Sequence, residues 1–113
     1  MAKFEHRLYG NFDAVLEYFD HGIIDGSLTA SYEDGSDYSA GDVRCAVRVY
    51  ERYSMLGKNR VSMSLTLVGA GENLFLSAIT SGGSQAMFVK WNTLGESTFL
   101  NKVMDLANRY TGM

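Results

Sequence analysis

The sequence predicts a single α+β domain over residues 1–113. The expected architecture is an antiparallel meander sheet of about five or six strands with two helices packed on one face, in the order β-α-β-β-β-β-α. Three observations carry this reading. Stretches of two-residue apolar alternation, the period of a strand, recur along the chain. Two other stretches space their apolar residues three and four apart, the period of a helix. Glycine- and asparagine-rich turns separate the central strands, and short turns make consecutive strands antiparallel neighbours.

Lys3 to Tyr9 alternates, with Phe4, His6 and Leu8 on one side and Lys3, Glu5, Arg7 and Tyr9 on the other. Gly10 breaks that strand, and Asn11 is a good N-cap for a helix. Phe12, Val15, Leu16, Phe19 and Ile23 form its apolar stripe. Asp13 in the first turn suits the helix dipole, and Gly22 or Gly26 ends the helix. Ser27 to Glu33 alternates again. Asp34 to Asp42 is polar and reads as a long hairpin loop with room for a short strand. Val43 to Tyr53 is the clearest strand. It sets Val43, Cys45, Val47 and Val49 on one face, and Arg44, Ala46, Arg48, Tyr50 and Arg52 on the other.

After the turn at Leu56-Gly57-Lys58-Asn59, Val61, Met63, Leu65 and Leu67 mark the inner face of a strand over residues 60–68. Residues 69–73 turn the chain, and Leu74 to Thr80 is a further strand. Ala86 to Trp91 reads as the last one. Thr93-Leu94-Gly95-Glu96 fits a capping box. It leads into a helix striped by Phe99, Leu100, Val103, Met104, Ala107 and Tyr110, which Gly112 stops.

Composition excludes several classes. An apolar fraction of 46% and a net charge of −3 belong to a globular protein and not a disordered one. The single cysteine, Cys45, precludes an internal disulfide. The start of the chain has no apolar segment typical of a signal peptide, and no run approaches the roughly 20 residues that span a bilayer. A cytoplasmic protein without membrane contact is expected. Charge is divided unevenly. Residues 1–42 hold nine acids against two bases, a net −7, and residues 43–113 hold four acids against eight bases, a net +4. The halves face each other within one molecule or across a dimer, or the charges are simply solvated.

No catalytic set can be argued. Two histidines and one cysteine are too few for a structural zinc site, and His21-x3-Asp25 lacks a third ligand. No metal or cofactor is expected. Cys45 alternates with valines on the inner face and reads as buried and inert. Candidate anion- or partner-binding residues are Arg44, Arg48, Tyr50 and Arg52. The arginines stand about 13 Å apart from one to the next on one strand face. Their guanidinium forks suit phosphate or carboxylate, and equally the acids of residues 33–42. The valines are expected to take the buried side, which would put the arginines on the face away from the helices. Ser81, Gly82, Gly83, Ser84 and Gln85 form a second candidate, a loop whose backbone amides can approach an anion or which is only a flexible turn. Nucleic acid is a poor partner for an acidic chain.

Residues 41–54, Gly-Asp-Val-Arg-Cys-Ala-Val-Arg-Val-Tyr-Glu-Arg-Tyr-Ser, and 77–88, Ser-Ala-Ile-Thr-Ser-Gly-Gly-Ser-Gln-Ala-Met-Phe, resemble an uncharacterised family of short bacterial proteins. That family is a domain of unknown function found in gut anaerobes, and the likeness runs over nearly the whole chain. The resemblance implies a bacterial cytoplasmic protein and transfers no activity. The element order is also similar to reduced helix-grip folds, which hold apolar ligands under the terminal helix. Function thus reads first as a non-enzymatic, self-associating domain, a homodimer. The alternative is a small-molecule carrier with an apolar pocket lined by Phe88, Phe99, Val103 and Met104. A third reading is an enzyme acting on an anionic small molecule, with Arg48 and the Ser81–Gln85 loop as its grip.

Overall fold

A computed structural model describes residues 1–27, 29–54, 59–82 and 89–110. Five strands and two helices follow the expected order: β1 (Ala2–Tyr9), α1 (Phe12–Asp25), β2 (Ala30–Ala40), β3 (Val43–Ser54), β4 (Asn59–Ala70), β5 (Asn73–Gly82) and α2 (Val89–Arg109). All four strand pairings are antiparallel and the sheet order is β1-β5-β4-β3-β2. The chain therefore runs as a meander from β2 to β5, and the first strand is laid along the meander's far edge.

Local chemistry places the breaks. The Asn11 side chain accepts the Ala14 backbone N–H at 2.9 Å and caps α1, and Gly26 ends that helix by donating to the Gly22 carbonyl at 3.0 Å. Gly41 and Gly71 sit in the two-residue turns β2–β3 and β4–β5 with φ of +60° and +62°, a conformation that disfavours a side chain.

One sheet face and both helices form the core. Phe12, Val15, Phe19 and Ile23 of α1 and Phe99, Leu100, Val103 and Ala107 of α2 are buried against Met63, Leu65, Leu67, Leu74, Leu76 and Ala78. Both helical stripes match the expected spacing, except that Met104 is 36% exposed and Leu106 instead turns toward α1.

Three boundaries and the facing of one strand differ from expectation. From Ala30 on, the strand expected over 27–33 and the loop after it are one strand, β2, which runs through the acidic segment to Ala40, and Leu28 lies outside the described residues. The exposed edge position of β2 lets Glu33, Asp34 and Asp37 stay in water while Asp34 and Asp37 pair with Val49 and Ala46 of β3. Residues 86–88 of the expected last strand lie outside the described residues, but Val89 to Trp91 open a helix. A short apolar run does not distinguish strand from helix, and here the run is continuous with the helically spaced stripe of Phe99, Leu100, Val103 and Ala107. For the same reason α2 begins four residues before Thr93, so the expected capping box lies inside the helix. The Leu56–Asn59 turn lies outside the described residues apart from Asn59, which already pairs with Ser54.

The fourth difference is the facing of β3. Antiparallel partners share a face, and Ala46, Arg48, Tyr50 and Arg52 oppose Leu67, Leu65, Met63 and Val61 of the core. The arginine set therefore looks toward the helices, and Val43, Cys45, Val47 and Val49 look away. Ala46 and Tyr50 are fully buried, whereas Val43 is 42% exposed. The valines' apolarity was the wrong guide because both faces of β3 carry apolar residues. The arginines escape the cost of burial because β3 lies next to the edge strand, where the helical layer thins and long side chains reach its margin.

Candidate functional site

Two surfaces follow from this facing: the polar margin between sheet and helices, and the sheet face that the helices leave bare. At the margin, the Arg44 guanidinium lies 4.3 Å from the centre of the Phe12 ring and 2.9 Å from the Asp13 carboxylate. That contact holds the Asp13 carboxyl below the ordinary carboxylate range. Asp13 thus serves both the helix dipole and the arginine. Arg48 bonds Asp37 of β2 at 2.9 Å and donates to the Val47 and Ser36 carbonyls, with only 17% of its side chain exposed. Arg52 stacks at 5.6 Å over Phe99 of α2. The candidate row is therefore tied into the fold by two acids and two rings. Two acids of the first 42 residues, Asp13 and Asp37, thus meet arginines of the remainder within one molecule.

Tyr50, between Arg48 and Arg52, does the most structural work. Its ring is fully buried and its hydroxyl donates to Asp20 of α1 at 2.6 Å. Burial first, and then the Asp20 carboxylate, push its ionisation well above the ordinary tyrosine range. Tyr32 packs edge-on against it at 5.9 Å. A bulge between Tyr32 and Asp34 allows this, because the extra residue Glu33 lets Tyr32, Gly35 and Asp37 all face the helices.

The remaining expected sites are dispersed. Ser81 and Gly82 belong to the end of β5, and Gly83, Ser84 and Gln85 lie outside the described residues. Phe99 and Val103 are packed into the core, Met104 points outward, and Phe88 lies outside the described residues. His21 and Asp25 do share a shallow groove of about 450 Å³ between α1 and α2, floored by Tyr18, Gly22 and Leu106. Among the described residues no three His, Cys, Asp or Glu side chains converge as metal ligands.

The bare face was expected to carry the arginines of β3, and it carries the valines instead. It carries Lys3, Glu5, Arg7 and Tyr9 from β1; Phe75, Ser77 and Ile79 from β5; Ser62, Ser64, Thr66 and Val68 from β4; Val43, Cys45, Val47 and Val49 from β3; and Asp34, Ser36 and Tyr38 from β2. Phe75, Ile79, Val43 and Tyr38 are 37%, 39%, 42% and 71% exposed. Cys45 lies here, half-buried, and not in the core. The signal that finds this face is the parity across the β3–β4 hairpin: once Val61 to Leu67 are core, their partners in β3 are fixed.

Fold and surfaces together define a two-layer α+β domain with one sheet face covered and one bare. The chain belongs to a family of unknown function, DUF6054, whose match extends over residues 1–111. No curated protein matches it. No helix among the described residues is long and apolar enough to cross a membrane.

Proposed function

We propose that this chain is a non-enzymatic domain that pairs with a second copy of itself through the bare sheet face. The band of exposed Ile79, Phe75 and Val43, joined by half-buried Val68 and Val47 across three adjacent strands, is the observation that carries this reading. A one-layer sheet with such a band gains by covering it, and a two-fold partner is the commonest cover. Five strands about 4.8 Å apart and about eight residues long present roughly 600 Å² per copy. A pair then buries about 1,200 Å², which clears the lower bound of about 1,000 Å² for a specific interface. A half-buried free thiol at Cys45 suits a reducing compartment, and a bacterial cytoplasmic setting belongs to this proposal.

Sedimentation equilibrium across micromolar concentrations tests the pairing. A mass twice the 12.5 kDa of the chain is expected, and Phe75→Glu together with Ile79→Glu should return it to one chain without loss of helical and strand signal. A wild-type monomer at the highest concentration overturns the proposal.

A further inference from the structure

We infer that the two copies stack with their two-fold axis running along the strands above β4, so that β1 of each copy crosses β2 of the other and Lys3 meets the partner's Asp34. This rests on the pairing proposed above and adds its geometry.

The register carries the inference. Cross-strand partners align the bare face in rows: Lys3, Ile79, Ser64, Val49, Asp34; then Glu5, Ser77, Thr66, Val47, Ser36; then Arg7, Phe75, Val68, Cys45, Tyr38. Each row begins on the β1 edge and ends on the β2 edge. A two-fold axis in the plane between two stacked sheets has two principal settings. An axis along the strands keeps each row at its own height and reverses it end for end. An axis across the strands keeps each strand over itself and inverts the order of the rows.

The first setting places cation over anion, Lys3 against Asp34, and Arg7 over the exposed Tyr38 ring. Glu5 then faces Ser36, Ile79 faces Val49, Phe75 faces Cys45, and Val68 meets its own copy on the axis. The second setting, centred on the middle row, places Glu5 over Glu5 and Lys3 over Arg7, which are like-charge contacts at both ends. Aligned sheets cross at about 30°, which tilts the axis by about half of that and leaves Lys3 within reach of the acidic edge. Asp34 is free to face outward because the bulge shifts its phase, and its carboxylate accepts only the adjacent Gly35 N–H at 2.8 Å among the described contacts.

The experiment is a charge exchange read as dimer Kd, with a cross-linking control. Lys3→Glu and Asp34→Lys are each expected to raise Kd about tenfold, since every dimer holds the contact twice, and the double variant is expected to return within about threefold of wild type. In a Cys45→Ser background, Thr66→Cys should cross-link between copies with a short bis-maleimide, because it stands beside the axis. Glu5→Cys should not, because the two edges are then about 19 Å apart sideways. Dimerisation without rescue in the double variant, or efficient cross-linking through Glu5→Cys, overturns this geometry and leaves the pairing intact. A monomeric wild type overturns both.

Discussion

Tyr50 offers the sharpest test of the packing. Replacing it by phenylalanine keeps the ring in its site and deletes the hydroxyl that donates to Asp20 at 2.6 Å. Hydrogen bonds to charged groups contribute about 1.5–3 kcal/mol. Asp20 is half-buried and recovers some water, so the lower end applies, about 1.5–2 kcal/mol at pH 8. That corresponds to about 6–8 °C in Tm for a domain of this size. The pH dependence carries more information. The native state holds the Tyr50 hydroxyl neutral above the ordinary value of 10.0, while the unfolded chain ionises there. Its stabilisation is therefore complete below pH 10 and is lost as pH rises, at about 1.4 kcal/mol per pH unit. Phenylalanine has no proton to lose. Urea denaturation followed by circular dichroism at fixed protein concentration should show wild type ahead at pH 8, level with Tyr50→Phe between about pH 11 and 11.5, and behind beyond it. A constant gap across that range, or none at pH 8, would refute the buried Tyr50–Asp20 contact.

Three further outcomes are expected. Arg48→Ala should destabilise by about 1–2 kcal/mol, because a mostly enclosed guanidinium loses a carboxylate and two carbonyls. Arg44→Ala should cost less and lose its effect near about 1 M salt, since that pair is open to solvent; equal costs for the two in urea titrations would contradict the margin described above. Gly22→Ala should destabilise despite better helix propensity, because its methyl group would lie 2.5 Å from Leu106 Cδ2, whereas in a Leu106→Ala background the same change should stabilise by about 1 kcal/mol, as a double-mutant cycle would show.

Much of the fold was legible because its elements are locally consistent. β1 alternates to its last residue, α1 has a cap, a stripe and a terminating glycine, and β4 shows its buried face in every second residue. What failed was information that is not local. β2 has a loop's composition and becomes a strand only because β3 offers it a partner. Alternation in β3 separated its residues correctly into two sets but did not say which set the helices would cover; Tyr50 reaching α1 and the partners in β4 decide that. The arginine row was found as a row, but its ties to Asp13, Asp37 and Phe99 depend on elements far apart in sequence. A face away from the helices was foreseen, but its β3 residues were not, since the valines were assigned to the core.

The bulge in β2 has a consequence for how an assembly of this chain would grow. An edge strand of 11 residues offers unpaired backbone groups to any passing strand, and sheets that extend edge to edge have no natural end. Here the extra residue at Glu33 breaks the regular spacing of that edge, and Glu33 and Asp34 line it with charge of one sign, while Asp37 is held by Arg48. Two such edges repel each other and are out of step. Contact through the flat of the sheet is different in kind, because each copy has one such face and a partner uses it up. The same irregularity that turns Tyr32 and Asp34 to opposite sides thus favours a closed, countable object over a fibre.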